Sequence, residues 1–178
     1  MDLWLNQVFQ MSDQQVLYLD FDGVLHHENV YWNRKRGAFI ADEEAQRGHK
    51  LFEYAPLLEQ ALSNYPNLKI VLSTSWAVQY GCAKAAKRLP NGLRTRVVGS
   101  TYHSLMHKAE FQSIPRGLQI ESDARRRNAA GWVALDDDDT GWPQTCKDNL
   151  ILTTGPLWLA APGVIDLLHE KLERFEML

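Results

Sequence analysis

Cysteine is scarce in this chain: Cys82 and Cys146 are the only two in 178 residues. There is no C-x-x-C pair and no histidine spacing suited to zinc, which excludes a disulfide scaffold and a zinc-stapled fold. Both thiols are expected to be reduced and partly buried. Long hydrophobic runs are also missing, so no membrane span is expected. Met1-Asp2-Leu3-Trp4-Leu5 lacks the basic segment and apolar core of a secretory signal, leaving the cytoplasm as the default compartment. A strong charge of either sign is absent too. Lys and Arg total 19 against 22 Asp and Glu, a net charge of −3. That balance argues against a protein that grips nucleic acid along an extended basic surface. Arg34-Lys35-Arg36 and Arg125-Arg126-Arg127 are the candidate local basic patches, though the reading as a solvated loop or helix face is favoured for each. No repeat, linker or low-complexity stretch divides the sequence, so a single domain over residues 1–178 is expected.

What the chain does have is three apolar runs that end abruptly in polar chemistry. Leu17-Tyr18-Leu19 stops at Asp20-Phe21-Asp22-Gly23-Val24-Leu25. A run that short reads as a buried strand, and Gly23 lets the chain turn as it leaves the sheet. Lys69-Ile70-Val71-Leu72 runs into Ser73-Thr74-Ser75-Trp76, and Gly131-Trp132-Val133-Ala134-Leu135 into Asp136-Asp137-Asp138-Asp139. Open α/β sheets bind ligands at the carboxyl ends of their strands. Two carboxylates there can hold a hard cation or divide the roles of nucleophile and proton carrier.

Between these strands the spacing predicts helices over 51–65, 78–89 and 117–128, with further strands at 96–99 and 149–153 and a final helix over 161–177. Alternating strands and helices imply a parallel sheet covered on both faces. Residues 12–25 form the catalytic strand and loop, and 26–48 suit a hairpin or flap rather than a folded cap. Leu3, Trp4, Leu5, Val8 and Phe9 fall at roughly helical spacing and suggest a small docking helix.

The ordered set Asp-x-Asp, hydroxyl cluster, acidic cluster resembles the haloacid dehalogenase (HAD) superfamily of phosphohydrolases. More closely, Asp20 to Leu25, Leu72 to Trp76, Arg116-Gly117-x-x-Ile120 and Ala134 to Asp137 resemble a small, minimally capped HAD family associated with bacterial RNA-repair systems. The resemblance implies a three-layer, Rossmannoid α/β fold without a large cap, and a Mg²⁺-dependent phosphatase. Asp20 is then the nucleophile, and Asp22 protonates the leaving group and activates water. Ser73 donates to a phosphoryl oxygen, with Thr74 or Ser75 as alternatives for that position. Gly23, Thr74, Ser75 and Trp76 line the substrate side. Asp20, Asp136, Asp137 and the Asp22 carbonyl form the metal set, and Asp138 and Asp139 are solvated. For the basic residue that steadies the phosphoryl charge, Arg116 is preferred over Lys108 and Arg125. Two departures stand out: Ala77 follows the tryptophan where the family commonly has arginine, and Gln119 precedes Ile120 where it tends to have glutamate.

Other residues carry two readings each. His26 and His27 pack the loop or face the site; Tyr31, Trp32 and Trp76 stack on a base or sugar or pack the core. The expected partner is a phosphorylated small molecule or nucleotide, or a nucleic-acid end, with small esters favoured by the acidic net charge. A non-catalytic binding module of the same fold and a phosphotransferase are the alternatives.

Overall fold

The structure is a computed structural model that describes residues 12–176. The expected docking helix around Leu3 to Phe9 lies outside them. Strand β1 (Ser12–Leu19) runs through the centre of a five-stranded parallel sheet. Val16, Leu17, Tyr18 and Leu19 are fully buried, because both faces of a central parallel strand are covered. The flanking strands are β4 (Lys69–Leu72) and β6 (Ala129–Asp136), with β5 (Val97–Ser100) and β7 (Leu150–Leu152) at the edges, giving the order β5-β4-β1-β6-β7. Outside this sheet, β2 (Val30–Asn33) and β3 (Gly37–Ile40) pair as an antiparallel hairpin. The Asn33 side chain closes its turn by accepting from the amides of Lys35 at 3.0 Å and Arg36 at 2.7 Å.

Successive residues of β1 point to opposite faces, and each face builds its own core. Leu17 and Leu19 pack with Leu58 of α2 (Ala55–Ala61), with Leu62, and with Leu168 and Leu172 of α8 (Val164–Glu176). Val16 and Tyr18 pack against Ile120 and Ala124 of α7 (Arg116–Arg127) and against Trp142 and Cys146. Burying side chains of this size contributes roughly 1.5–3 kcal/mol each. The Tyr18 hydroxyl would be stranded there, but it donates to Asp123 at 3.0 Å. Asp123 is buried and also holds Arg126 and Arg127, while Arg125 pairs with Glu121. The basic triplet at the end of α7 is thus largely committed to its own helix.

Short helices depart most from expectation. The periodic segment 51–65 is helical only over α2, since Phe52 takes a left-handed backbone at φ 61°. Residues 78–89 split into α3 (Ser75–Tyr80) and α4 (Cys82–Ala86), because Gly81 at φ 83° interrupts them. Thr74 caps α3 by accepting from the Trp76 amide, starting that helix earlier than its apolar period suggests. Beyond the predicted helices, Pro90 leads into α5 (Asn91–Arg94), and Lys108–Ser113 forms α6. The acidic segment after β3 forms α1 (Asp42–Gln46), and the last helix begins at Val164 rather than Ala161. No helix among the described residues is long and apolar enough to cross a membrane.

Candidate active site

Register puts the three polar strand ends side by side. Leu19 pairs with Leu72 on one side and Leu135 on the other. The next residue of each strand is therefore Asp20, Ser73 and Asp136, one row along the carboxyl edge of the sheet. The backbone continues the ladder into that row: the Asp20 amide donates to Leu135 at 3.1 Å, and the Ser73 amide to Leu19 at 2.9 Å. Asp20, Ser73 and Asp136 are all buried.

Arg116, the first residue of α7, reaches into this row. Its Nη1 lies 3.1 Å from Asp20 Oδ2 and 3.3 Å from Asp136 Oδ2, and it donates to the Ser73 carbonyl. The helix start can lie this close because Gly117 leaves room for Trp142; a Cβ there would sit 2.8 Å from the indole. Of the three basic candidates, Arg116 is the one against Asp20. Lys108 is exposed and donates to Gln79, and Arg125 is exposed on Glu121.

Three carboxylates face that single guanidinium. Oxygens of Asp20, Asp136 and Asp137 lie within 4.8 Å of one another. Burial, followed by the charge of Asp20, pushes Asp136 up to about 8 and Asp137 up to about 7. Burial likewise raises Asp20, against the pull of Arg116. Burial alone would lower Arg116, but Asp20 and Asp136 hold it above its ordinary range. Negative charge at such a site is under-compensated, and an all-oxygen donor set of this kind suits a hard divalent cation such as Mg²⁺. Gly23 adds to the fit: at φ 66° it turns the chain directly under Asp137, where a Cβ would lie 2.1 Å from Oδ2. The Ser73 hydroxyl is buried without a partner, a donor left over for an incoming oxygen.

Asp22 stands apart from this group. It is partly exposed and surrounded by hydrogen-bonding side chains: His26 Nε2 at 3.0 Å and Trp76 Nε1 at 2.8 Å on Oδ1, and the Ser75 hydroxyl at 3.1 Å on Oδ2. Trp76 is buried with its N–H turned to Asp22, so it is placed to hold that acid rather than to stack on a ligand. Thr74 is buried and hydrogen-bonds Asp20. Asp138 and Asp139 are exposed as expected; Asp138 closes a turn with the Thr140 amide, and Asp139 pairs with Lys147.

One residue outside the sequence reading shapes the site. Thr153, just past β7, donates through Oγ1 to the Gly23 carbonyl at 2.6 Å, tying the loop after Asp20 to the sheet edge. Its signal was present as a fourth apolar strand ending in hydroxyls, Leu152-Thr153-Thr154. Gln119 donates to the carbonyls of Phe111 and Ile114, which a glutamate at that position could not do when ionised. Ala77 is buried in the core.

Cavities open beside the acids, two of them on the side of Arg116 and Asp22. One of about 360 Å³ is lined by Ser75, Thr101, Gln112 and Arg116. Another of about 230 Å³ lies between the hairpin and α3, lined by Asp22, Tyr31, Trp32 and Lys108. On the other flank His27, Glu44 and His49 cluster. The Asn29 amide donates to His27 Nδ1, so Nε2 carries the proton and faces Glu44 at 3.4 Å. Within that cluster the His27–Glu44 contact links the loop to α1.

The sequence profile of the HAD domain in Swiss Army Knife RNA repair proteins matches residues 16–163. The chain belongs to this family. No curated protein and no solved structure matches it. The five-stranded parallel sheet with helices on both faces is consistent with the HAD-like, Rossmannoid fold, and membership supports phosphoryl-transfer chemistry of the HAD type.

Proposed function

We propose that this HAD domain is a Mg²⁺-dependent phosphohydrolase that cleaves phosphate monoesters through an aspartyl-phosphate on Asp20. The reading is carried by the row Asp20, Ser73 and Asp136, with Arg116 bridging two of its acids and the Ser73 hydroxyl buried and unpartnered. Asp20 attacks phosphorus, the bond from phosphorus to the leaving oxygen breaks, and the proton of Asp22 goes to that oxygen. Asp22, now a carboxylate, takes a proton from water as the water attacks the phosphoryl group, and Asp20 is regenerated. Arg116 and Ser73 face the charge that builds on the non-bridging oxygens. Asp20, Asp136, Asp137 and the Asp22 carbonyl are the residues that would hold Mg²⁺, which when bound neutralises that charge further.

For the substrate we favour a phosphomonoester at a nucleic-acid end. The family's association with RNA repair supports this, and so does the hairpin. Its Tyr31 and Trp32 are exposed beside the cavity that reaches Asp22, and its turn carries Arg34, Lys35 and Arg36 at the surface. Aromatic faces next to basic residues suit stacked bases and their phosphates. The hairpin acts as a flap over this end of the site. Net charge pointed toward small esters; the local distribution of aromatics and cations outweighs it.

Phosphate release is the test, measured on 4-nitrophenyl phosphate, nucleoside monophosphates and oligonucleotides with a terminal 3′- or 5′-phosphate, with Mg²⁺ and with chelator. We expect metal-dependent release, fastest from an oligonucleotide end. Equal rates on mononucleotides would contradict the substrate assignment, and metal-independent or absent release would contradict the reaction.

A further inference from the structure

Asp22 has two oxygens in unequal surroundings. Oδ1 accepts from His26 Nε2 at 3.0 Å and from Trp76 Nε1 at 2.8 Å, so both its lone-pair directions are filled by fixed N–H groups. Oδ2 accepts, among the described residues, from the Ser75 hydroxyl at 3.1 Å, a rotor that can donate or accept. A proton added to Oδ1 would meet two donors. A proton added to Oδ2 can point to a new acceptor.

His26 is an unusual residue to spend on this task. It is fully buried, and its Nδ1 has no hydrogen-bond partner. Leaving such a group unsatisfied costs stability. The ring is fixed in place nonetheless. Phe52 packs edge-on at 4.8 Å between centroids, and Trp76 at 5.9 Å. Phe52 itself holds the left-handed backbone, a conformation rare for a bulky side chain. Gly23 donates its amide to the His26 carbonyl at 3.1 Å, so the backbone closes the same loop that the side chains close. With Nδ1 unpartnered, Nε2 makes the ring's polar contact, 3.0 Å from Asp22 Oδ1, where a carboxylate oxygen calls for a donor.

We infer that His26 is a positioning residue for leaving-group protonation: with Trp76 it anchors Asp22 Oδ1, leaving Oδ2 as the oxygen that delivers the proton. This rests on the assignment of Asp22 as the proton donor made above. His26 touches neither substrate nor metal; it acts through Asp22. The step it supports breaks the O–H bond at Asp22 Oδ2 and forms one on the departing alkoxide, while the anchored Oδ1 keeps its two donors throughout.

Leaving-group dependence separates this role from a merely structural one. An alkyl phosphate releases a strongly basic alkoxide that needs a proton, whereas 4-nitrophenolate leaves without one. We would measure kcat on both substrates for wild type, His26→Gln, His26→Leu and Trp76→Phe, with thermal unfolding of each. Glutamine keeps an N–H near the position of Nε2, and leucine does not. His26→Leu should lose roughly 10- to 100-fold on the alkyl ester, a share of what a general acid supplies, and less than about threefold on the aryl ester. Gln should recover most of the loss, and Trp76→Phe should show the same selective defect from the other side even if the leucine variant folds poorly. Equal losses on the two esters, or none on either, would overturn the inference. An inactive wild type would bring down the phosphatase reading itself, and the inference with it.

Discussion

Asp20 and Asp22 are two residues apart, yet they sit in opposite kinds of surroundings. Asp20 is buried among Asp136, Asp137 and Arg116, where formal charges decide the energetics. Asp22 is partly exposed and held by hydrogen bonds from the side chains of His26, Ser75 and Trp76. The first setting needs an external cation to be at ease; the second orients a carboxyl group without changing its charge balance. Two carboxylates can thereby divide nucleophile from proton carrier within a single turn of chain, each tuned by what surrounds it.

Removing the charge of Asp20 gives the largest expected effect. Asp20→Asn should lower phosphate release by about 10⁴-fold or more, as loss of a nucleophile does. The metal-free protein should at the same time melt no lower than wild type, because the substitution relieves a buried, raised carboxyl group beside Asp136. A variant that loses activity only because it unfolds would break the comparison.

Ser73→Ala should cost about 10²-fold in rate, the scale of one lost oxyanion donor. Its stability should change by less than about 0.5 kcal/mol, since the hydroxyl has no partner to lose. Urea titration beside kinetics checks both halves.

Proton and metal compete on the Asp20 side. Asp136 and Asp137 hold protons up to about 8 and about 7, above the ordinary 3.8. A raised acid binds its proton more tightly folded than unfolded, so the metal-free fold loses stability as pH climbs from the ordinary value through those values. A cation must displace the same protons. The rise in melting temperature on adding Mg²⁺ should therefore be larger near pH 8 than near pH 6, and equal rises at about those two pH values would contradict the assignment of these acids.

Thr153→Val should have the smallest effect, a loss of about 1–2 kcal/mol as the Gly23 carbonyl is left without its hydroxyl. Urea unfolding measures it, and an unchanged midpoint would mean that the loop holds itself.

The Asp20 half of the site was legible in the sequence, and the environment of Asp22 was not. Apolar runs fix strand register, and register alone puts Asp20, Ser73 and Asp136 in one row after Leu19, Leu72 and Leu135. Arg116 was readable because it opens the helix before the Asp136 strand, where the resembled family carries its basic residue. The contacts on Asp22 depend on where α3 starts, which the Thr74 cap decides, and on the Phe52 backbone that boxes His26. Neither leaves a periodic trace. The short helices α5 and α6 escaped for the same reason: each is too brief to show a period, and tertiary packing holds it. Gln119, which looked like a departure from the family, has a local use in pinning the end of α6 to α7.

The central claim is that Asp20 carries the phosphoryl group, and acid-quench mass spectrometry of the Asp22→Asn variant mixed with substrate tests it most directly. With the residue that activates water disabled, the account predicts a phosphoryl adduct that maps to Asp20 and disappears in the Asp20→Asn, Asp22→Asn double variant. Phosphate release without any adduct on Asp20, or an adduct on another residue, would contradict it.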